Sequence, residues 1–422
     1  MTNGRGMLLA SFLSLIGTAA AFAADPPLVE KYLHEGKLRD GERALRAALD
    51  RNPADDQVRF GLGAVQFLQT FEHFGASLYR YGMRTERLFL NPIPQVRELA
   101  PQNPDPEKIS YRDFRGMLEK WVEDLNRAEA TLAEIKDDKV KLPIHATRVK
   151  FDLFGLGKPV SAAFIFARVN ELPPPDRNLS GDADLVVFDR GDVCWLRGYC
   201  HFLAAWGEFM LAHDGKELFE CAGHLAFEDV DTPHHFLLEQ RDRFDTGAFW
   251  GWNRQQWADV IASIHLTLRV PVTEPKRYQA AHGHLLKMMA MSKEMWSHYR
   301  AENDDDHEWI PNPRQSGVLR IPVSEEMVNT WLSTVEEVEL VLQGRRLIPF
   351  WRGNQADRGV NLKKLVMNPP QNFDVFLWVQ GTAATPYLEK GPLTRFADPN
   401  SWRRIDQSFG QFNFAGFAIW FN

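Results

Sequence analysis

The chain has 422 residues, with 49 Lys and Arg against 56 Asp and Glu, a formal charge of −7 at neutral pH. That mildly acidic balance argues against nucleic acid or an anionic membrane surface as the main partner, since both reward basic patches. The length suffices for two or three cores. Aromatic residues make up 12% of the chain and include 13 Trp, ample material for burial, so a globular chain without low-complexity tracts is expected.

Residues 1–23 read as a secretory signal peptide. Arg5 supplies the positive start, Met7 to Ile16 the short apolar run, and Ala21-Phe22-Ala23 the small-x-small cleavage site. Cleavage after Ala23 leaves a mature chain starting at Ala24. The apolar run is too short to span a bilayer, and no later stretch reaches the length of a membrane span. No cysteine near the cleavage site is placed to accept a lipid. A soluble periplasmic or secreted protein is therefore expected.

From residue 24 to about 137 the pattern is helical, with long helices expected over 57–90 and 111–136. The second carries Phe114, Leu118, Trp121 and Leu125 at three-to-four spacing. In the first part, Tyr32 and Gly36 lie on a helix and its turn, Ala48 falls on the next helix, and Pro53 closes the unit. Leu62-Gly63 follows nine residues later. Over residues 24–80 this spacing resembles a tetratricopeptide repeat, with Gly41 and Arg59 departing from the pattern. The resemblance implies stacked helical hairpins, with close packing at Gly36, Ala48 and Gly63, and a surface that holds a protein or peptide partner.

Residues 138–190 change character. Arg148 to Phe154 alternates apolar and charged residues and Asp184 to Asp189 holds a short apolar run, so two strands are expected among several prolines. Asp152 to Gly157 starts like a calcium loop but lacks the oxygen ligands at its third and fifth positions. Residues 191–302 return to helix. Trp195, Tyr199, Phe202, Trp206, Phe209 and His213 form a stripe expected to anchor a core, with Asp192 as the N-cap. Helices are also expected over 252–268 and 275–300. In the region 303–422, Ser324 starts a helix to Leu342, residues 373–388 supply another, and the apolar tail Phe412 to Phe421 reads as a strand or extended segment. Cys194 and Cys200 fall on different faces of one helix. Either can reach Cys221 if the chain doubles back, and three buried thiols account for the same sequence.

Three constellations carry chemistry. His284, Met288, Met291, Met295 and His298 line one helix face at four-three-four-three spacing. Thioether and imidazole ligands in a row suit copper, but the same stripe serves as flexible core packing, which is the favoured reading. His234, His235 and Glu239, close to Trp250 and Trp252, are candidates for acid-base work on a sugar that stacks on tryptophan. His235 and Glu239 are equally placed to be a solvated pair. Asn303 to Glu308 is an acidic loop of the kind that is usually solvated, and the tripeptide Arg190-Gly191-Asp192 recurs by chance. No phosphate loop, dinucleotide fingerprint, nucleophile elbow or HExxH motif is present. A mainly α protein is expected, with repeat-like helical hairpins at the N-terminus, an irregular helical body and a few short strands. It is read as a non-catalytic interaction or scaffold module of the cell envelope, with no metal or cofactor assigned. A periplasmic glycan-active or glycan-binding protein with a cleft around Trp250 and Trp252 is the alternative.

Overall fold

The computed structural model describes residues 25–84, 101–164, 184–239, 254–353, 357–410 and 414–421. Residues 1–23, expected as a signal peptide, lie outside these residues, as do Trp250 and Trp252. The protein is mainly helical with a few short strands, and no helix among the described residues is long and apolar enough to cross a membrane.

Four helices build the N-terminal part: α1 (Leu28–Glu35), α2 (Leu38–Arg51), α3 (Asp56–Arg80) and α4 (Tyr111–Ala133). Each packs on the next. The α1–α2 turn is made at Gly36, whose φ of 67° favours a residue without Cβ. Asp55 caps α3 by accepting from the Val58 N–H, and Ser110 with Asp113 forms a capping box on α4. Helix α3 closes at Arg80, ten residues short of the expected end, because Gly82 (φ 63°) turns the chain. The first core gathers Val29, Leu33, Leu45, Phe60, Val65 and Leu132 with Ile144 of the following strand. Ala48 is only half-buried, whereas a Cβ on Gly63 would stand 2.4 Å from Leu132 Cδ2. Close approach thus falls at Gly63, between α3 and α4, and at Gly36, where a Cβ would stand 2.4 Å from Pro159 Cβ.

Strand β1 (Leu142–His145) pairs antiparallel with β4 (Leu185–Phe188), Leu142 opposite Phe188, and β2 (Lys150–Phe151) pairs with β3 (Val160–Ser161). The strand expected over 148–154 shrinks to two residues. Its cause is Asp152, whose carboxylate accepts from the Leu156 and Gly157 N–H groups and folds the chain into a loop.

Helix α5 (Arg190–Leu211) is the spine of the molecule: it packs on α4 along one side and on α8 (Pro275–Ala301) along the other. Between them come α6 (Lys216–Ala226), α7 (Arg254–Thr267) and β5 (Arg269–Pro271). The N-cap of α5 is Asp189 rather than Asp192. Asp189 accepts from the Gly191 and Asp192 N–H groups, and Asp192, at the third helical position, accepts from the Asp189 N–H.

Helix α9 (Glu325–Leu342) starts at Ser324 as expected. The segment 373–388 is not one helix. It divides into β8 (Asn372–Asp374), which pairs with β5, and α11 (Val375–Gln380), and Gly381 (φ 106°) ends it. Around it, β6 (Ile348–Pro349), β7 (Arg358–Val360) and β9 (Leu388–Lys390) form a three-stranded sheet next to α10 (Leu362–Met367). Helices α12 (Pro399–Ser408) and α13 (Phe414–Phe421) complete the chain. From Phe414 to Phe421 the apolar tail is therefore helical, not extended: Phe417 and Phe421, four apart, both point into the second core, beside Met295, Trp296, Trp331 and Phe409. Trp296 meets Phe421 edge-on with ring centroids 4.9 Å apart.

Candidate functional site

The α5–α8 crossing concentrates the polar chemistry of the molecule. Close approach is enabled by small residues on α5: a Cβ on Gly207 would lie 2.5 Å from Val122 of α4, and one on Gly191 would lie 2.3 Å from the Tyr299 ring of α8. Val193, Leu196, Cys200, Ala204 and Leu211 fill the buried sides. The consequence overturns the expected role of the aromatic stripe. Since α4 and α8 already occupy the two faces lined by small residues, Phe202, Trp206 and Phe209 are left outward at 47%, 47% and 41% exposure, with Met210 at 38%. Both ends of the stripe are hydrogen-bonded, and Phe209 keeps an edge-on ring contact with Tyr278. The Trp195 indole N–H donates to the Trp420 carbonyl, and His213 Nε2 bonds the Tyr278 hydroxyl at 2.9 Å.

At the centre of the crossing, His201 Nδ1 and His284 Nδ1 are 3.1 Å apart. Burial pulls the His201 imidazole down to about 4 and also holds His284 below its ordinary value. Both rings are therefore neutral near pH 7, and one nitrogen donates to the other. Glu129, 3.5 Å from His201 Nε2, is held by Arg197 at 2.9 Å.

The copper stripe is divided among different neighbours. His284 belongs to the histidine pair, Met295 is fully buried in the second core, Met288 packs against that core, and Met291 is half-buried. His298, at the other end, joins Glu294 and Cys194 of α5, whose donor atoms lie within 4.8 Å of one another. Arg190 stands 3.6 Å from that Glu294, and burial pushes the Cys194 thiol up to about 12. No disulfide forms: all three cysteines are free.

Where α5 begins, Asp189, Glu302 and Glu308 converge within 4.8 Å. Burial, then the bond and charge of Asp189, raise Glu302 to about 10, and burial raises Glu308 to about 7. Asp192 is fully buried, raised by the same cause, and accepts from the Tyr299 hydroxyl at 2.7 Å. The tripeptide Arg190-Gly191-Asp192 is thus packed inside the molecule. The acidic loop is internally engaged: Asp304 and Asp306 both bind Lys141, at 2.7 and 3.1 Å, and Asp305 accepts from the Ser316 N–H.

His234, His235 and Glu239 lie on and beside a single 3₁₀ turn, His235–Leu238. His235 and Glu239 are exposed and His234 is half-buried beside Phe236. Among the described residues no hydrogen bond or ion pair joins their side chains.

A third ligand-type cluster lies where α1 meets β1. Glu30, His34 and His145 place donor atoms within 4.8 Å of one another. Glu30 and His34 are four apart on the helix, a spacing visible in the sequence. His145 joins them from 111 residues further on, which only the antiparallel β1–β4 pair and its docking on the first core bring about. No protein-family model, no curated protein and no solved structure matches this chain.

Proposed function

We propose that the chain is a helical interaction module of the cell envelope, exported by its N-terminal signal sequence, that binds a protein or peptide partner through the outward face of α5. The observation that carries this reading is the row Phe202, Trp206, Phe209 and Met210, four large apolar side chains on one face of the central helix and more than a third exposed. Such a face, rimmed by polar residues, is costly to leave in water and is typical of interaction sites. Its aromatic content matches the anchors that dominate binding energy at interfaces. The face is rigid, because the opposite sides of α5 are locked between α4 and α8. The resemblance of residues 24–80 to a tetratricopeptide repeat is in keeping with the same reading, since stacked hairpins present partner surfaces.

The test is capture from envelope extract by the purified wild-type chain and by the double variant Phe202→Ser, Trp206→Ser, with thermal melts of both. Both side chains are about half exposed and outside the buried core clusters, so both chains are expected to unfold cooperatively, the variant losing at most about 3 kcal/mol. The partner captured by the wild type is expected to be lost from the variant. An identical captured set from both chains refutes the role of this face.

A further inference from the structure

We propose that Glu30, His34 and His145 form a binding site for a divalent transition-metal ion of the zinc type, linking α1 to β1. A carboxylate and two imidazoles make up a donor set that Zn²⁺ accepts with three protein ligands, leaving its fourth tetrahedral position for water. Among the described residues no fourth His, Cys, Asp or Glu joins the three. This site stands apart from the α5 face, on different elements and with a different ligand.

Two independent observations point to an ion. The first is convergence: Glu30 Oε1, in a buried residue, is 2.6 Å from His145 Nδ1 and 3.6 Å from His34 Nε2. Tetrahedral ligands at about 2.05 Å from zinc stand about 3.3 Å apart, so these two gaps need to open and close by less than an ångström, and the two imidazole nitrogens, within 4.8 Å of each other, must come to the same spacing. The second is an orphan. His34 Nε2 is shielded from solvent without a hydrogen-bond partner, since Glu30 at 3.6 Å is beyond bonding range. A buried polar nitrogen without a partner costs free energy, and a metal bond is one way to meet it. The neighbouring cation Arg148 is turned to Asp184 at 3.1 Å.

The other two clusters carry less. In the carboxylate cluster burial favours the protonated forms of Glu302 and Glu308, which an ion would have to displace, and the Cys194 group has the Arg190 cation 3.6 Å from its Glu294.

The experiment titrates the chelator-treated full chain with Zn²⁺ by calorimetry and with Co²⁺ by visible absorption, where tetrahedral ligation gives intense bands. Wild type is compared with His34→Gln, Glu30→Gln and, as a control at the other cluster, Cys194→Ser. One equivalent of Zn²⁺ is expected to bind wild type and Cys194→Ser alike. His34→Gln and Glu30→Gln are expected to bind it at least tenfold more weakly and to lose the Co²⁺ bands. Zinc is also expected to raise the melting temperature of wild type but not of His34→Gln. His34 makes no hydrogen bond through Nε2, so its variant should fold, and Glu30→Gln repeats the test at a second ligand. Absence of stoichiometric zinc from the wild type, or binding that both variants retain, overturns the proposal.

Discussion

Replacing Gly63 by Ala tests whether the α3–α4 contact is as close as the structure has it. The change offers two opposing terms. Alanine in a helix interior is favoured over glycine by about 1 kcal/mol. Against this, the new Cβ would stand 2.4 and 2.5 Å from Leu132 Cδ2 and Cγ, and Leu132 is fully buried and has no room to withdraw. Carbon atoms pack at about 3.5–4.0 Å, so the overlap exceeds 1 Å and belongs with overpacking changes that cost about 1–3 kcal/mol. The clash wins, and Gly63→Ala is expected to destabilise by about 1–2 kcal/mol. Truncating the obstacle reverses the sign. Leu132→Ala alone should cost about 2–5 kcal/mol as a cavity, and in that background Gly63→Ala should stabilise by about 1 kcal/mol, through helix propensity and partial filling. Urea unfolding followed by far-ultraviolet ellipticity for the four chains gives the cycle, read from midpoints at constant m. A stabilising Gly63→Ala in the wild-type background, or additive effects in the cycle, refutes the close contact.

At the carboxylate cluster, Glu308 is raised to about 7 from an ordinary value near 4.5. A raised folded value means that the folded state holds the proton more tightly. The contribution is therefore fully present below about pH 4.5 and is lost as pH rises through 7, amounting to at most about 3 kcal/mol. Glu308→Gln should make the chain more stable than wild type at pH 8 and flatten its pH dependence between 5 and 8, which equilibrium unfolding at several pH values measures. On α8, Met288→Leu and Met291→Leu conserve volume at half-buried positions and should each cost less than about 1.5 kcal/mol, with copper uptake unchanged. A stoichiometric Cu(I) site that vanishes in the double variant refutes the packing reading. N-terminal sequencing of exported protein should begin at Ala24, and retention of Met1 would refute the cleavage site.

Much of the helical framework was legible in the sequence because its signals are local. Ser324 before the α9 periodicity, Pro275 at the first turn of α8, and the Trp121 stripe of α4 act within one or two turns. Helix existence and start could be read from them. Segments whose state depends on a distant partner could not be read in the same way. The tail from Phe414 to Phe421 has an apolar pattern compatible with either period, and its helical form follows from the pocket that Trp296 and Trp331 offer to side chains four apart. Asp189 and Asp192 form one reciprocal cap, in which Asp192, the residue expected as the N-cap, sits at the third helical position and accepts from the Tyr299 hydroxyl.

The site chemistry divides along the same line. By itself the sequence determined that α5 has an aromatic stripe, that Glu30 and His34 share a helix face, and that His284 to His298 line another, since i, i+3 and i+4 spacing follows from helix geometry alone. Only the tertiary structure decided which stripe faces inward. Small residues let α4 and α8 close on two sides of α5 and left Phe202, Trp206 and Phe209 outside, where a larger hydrophobic row would by composition be assigned to the core. It also decided which ligand-bearing faces meet a third donor, because His145 reaches Glu30 and His34 through strand pairing and core burial, interactions between residues too far apart in the chain for any local pattern to encode.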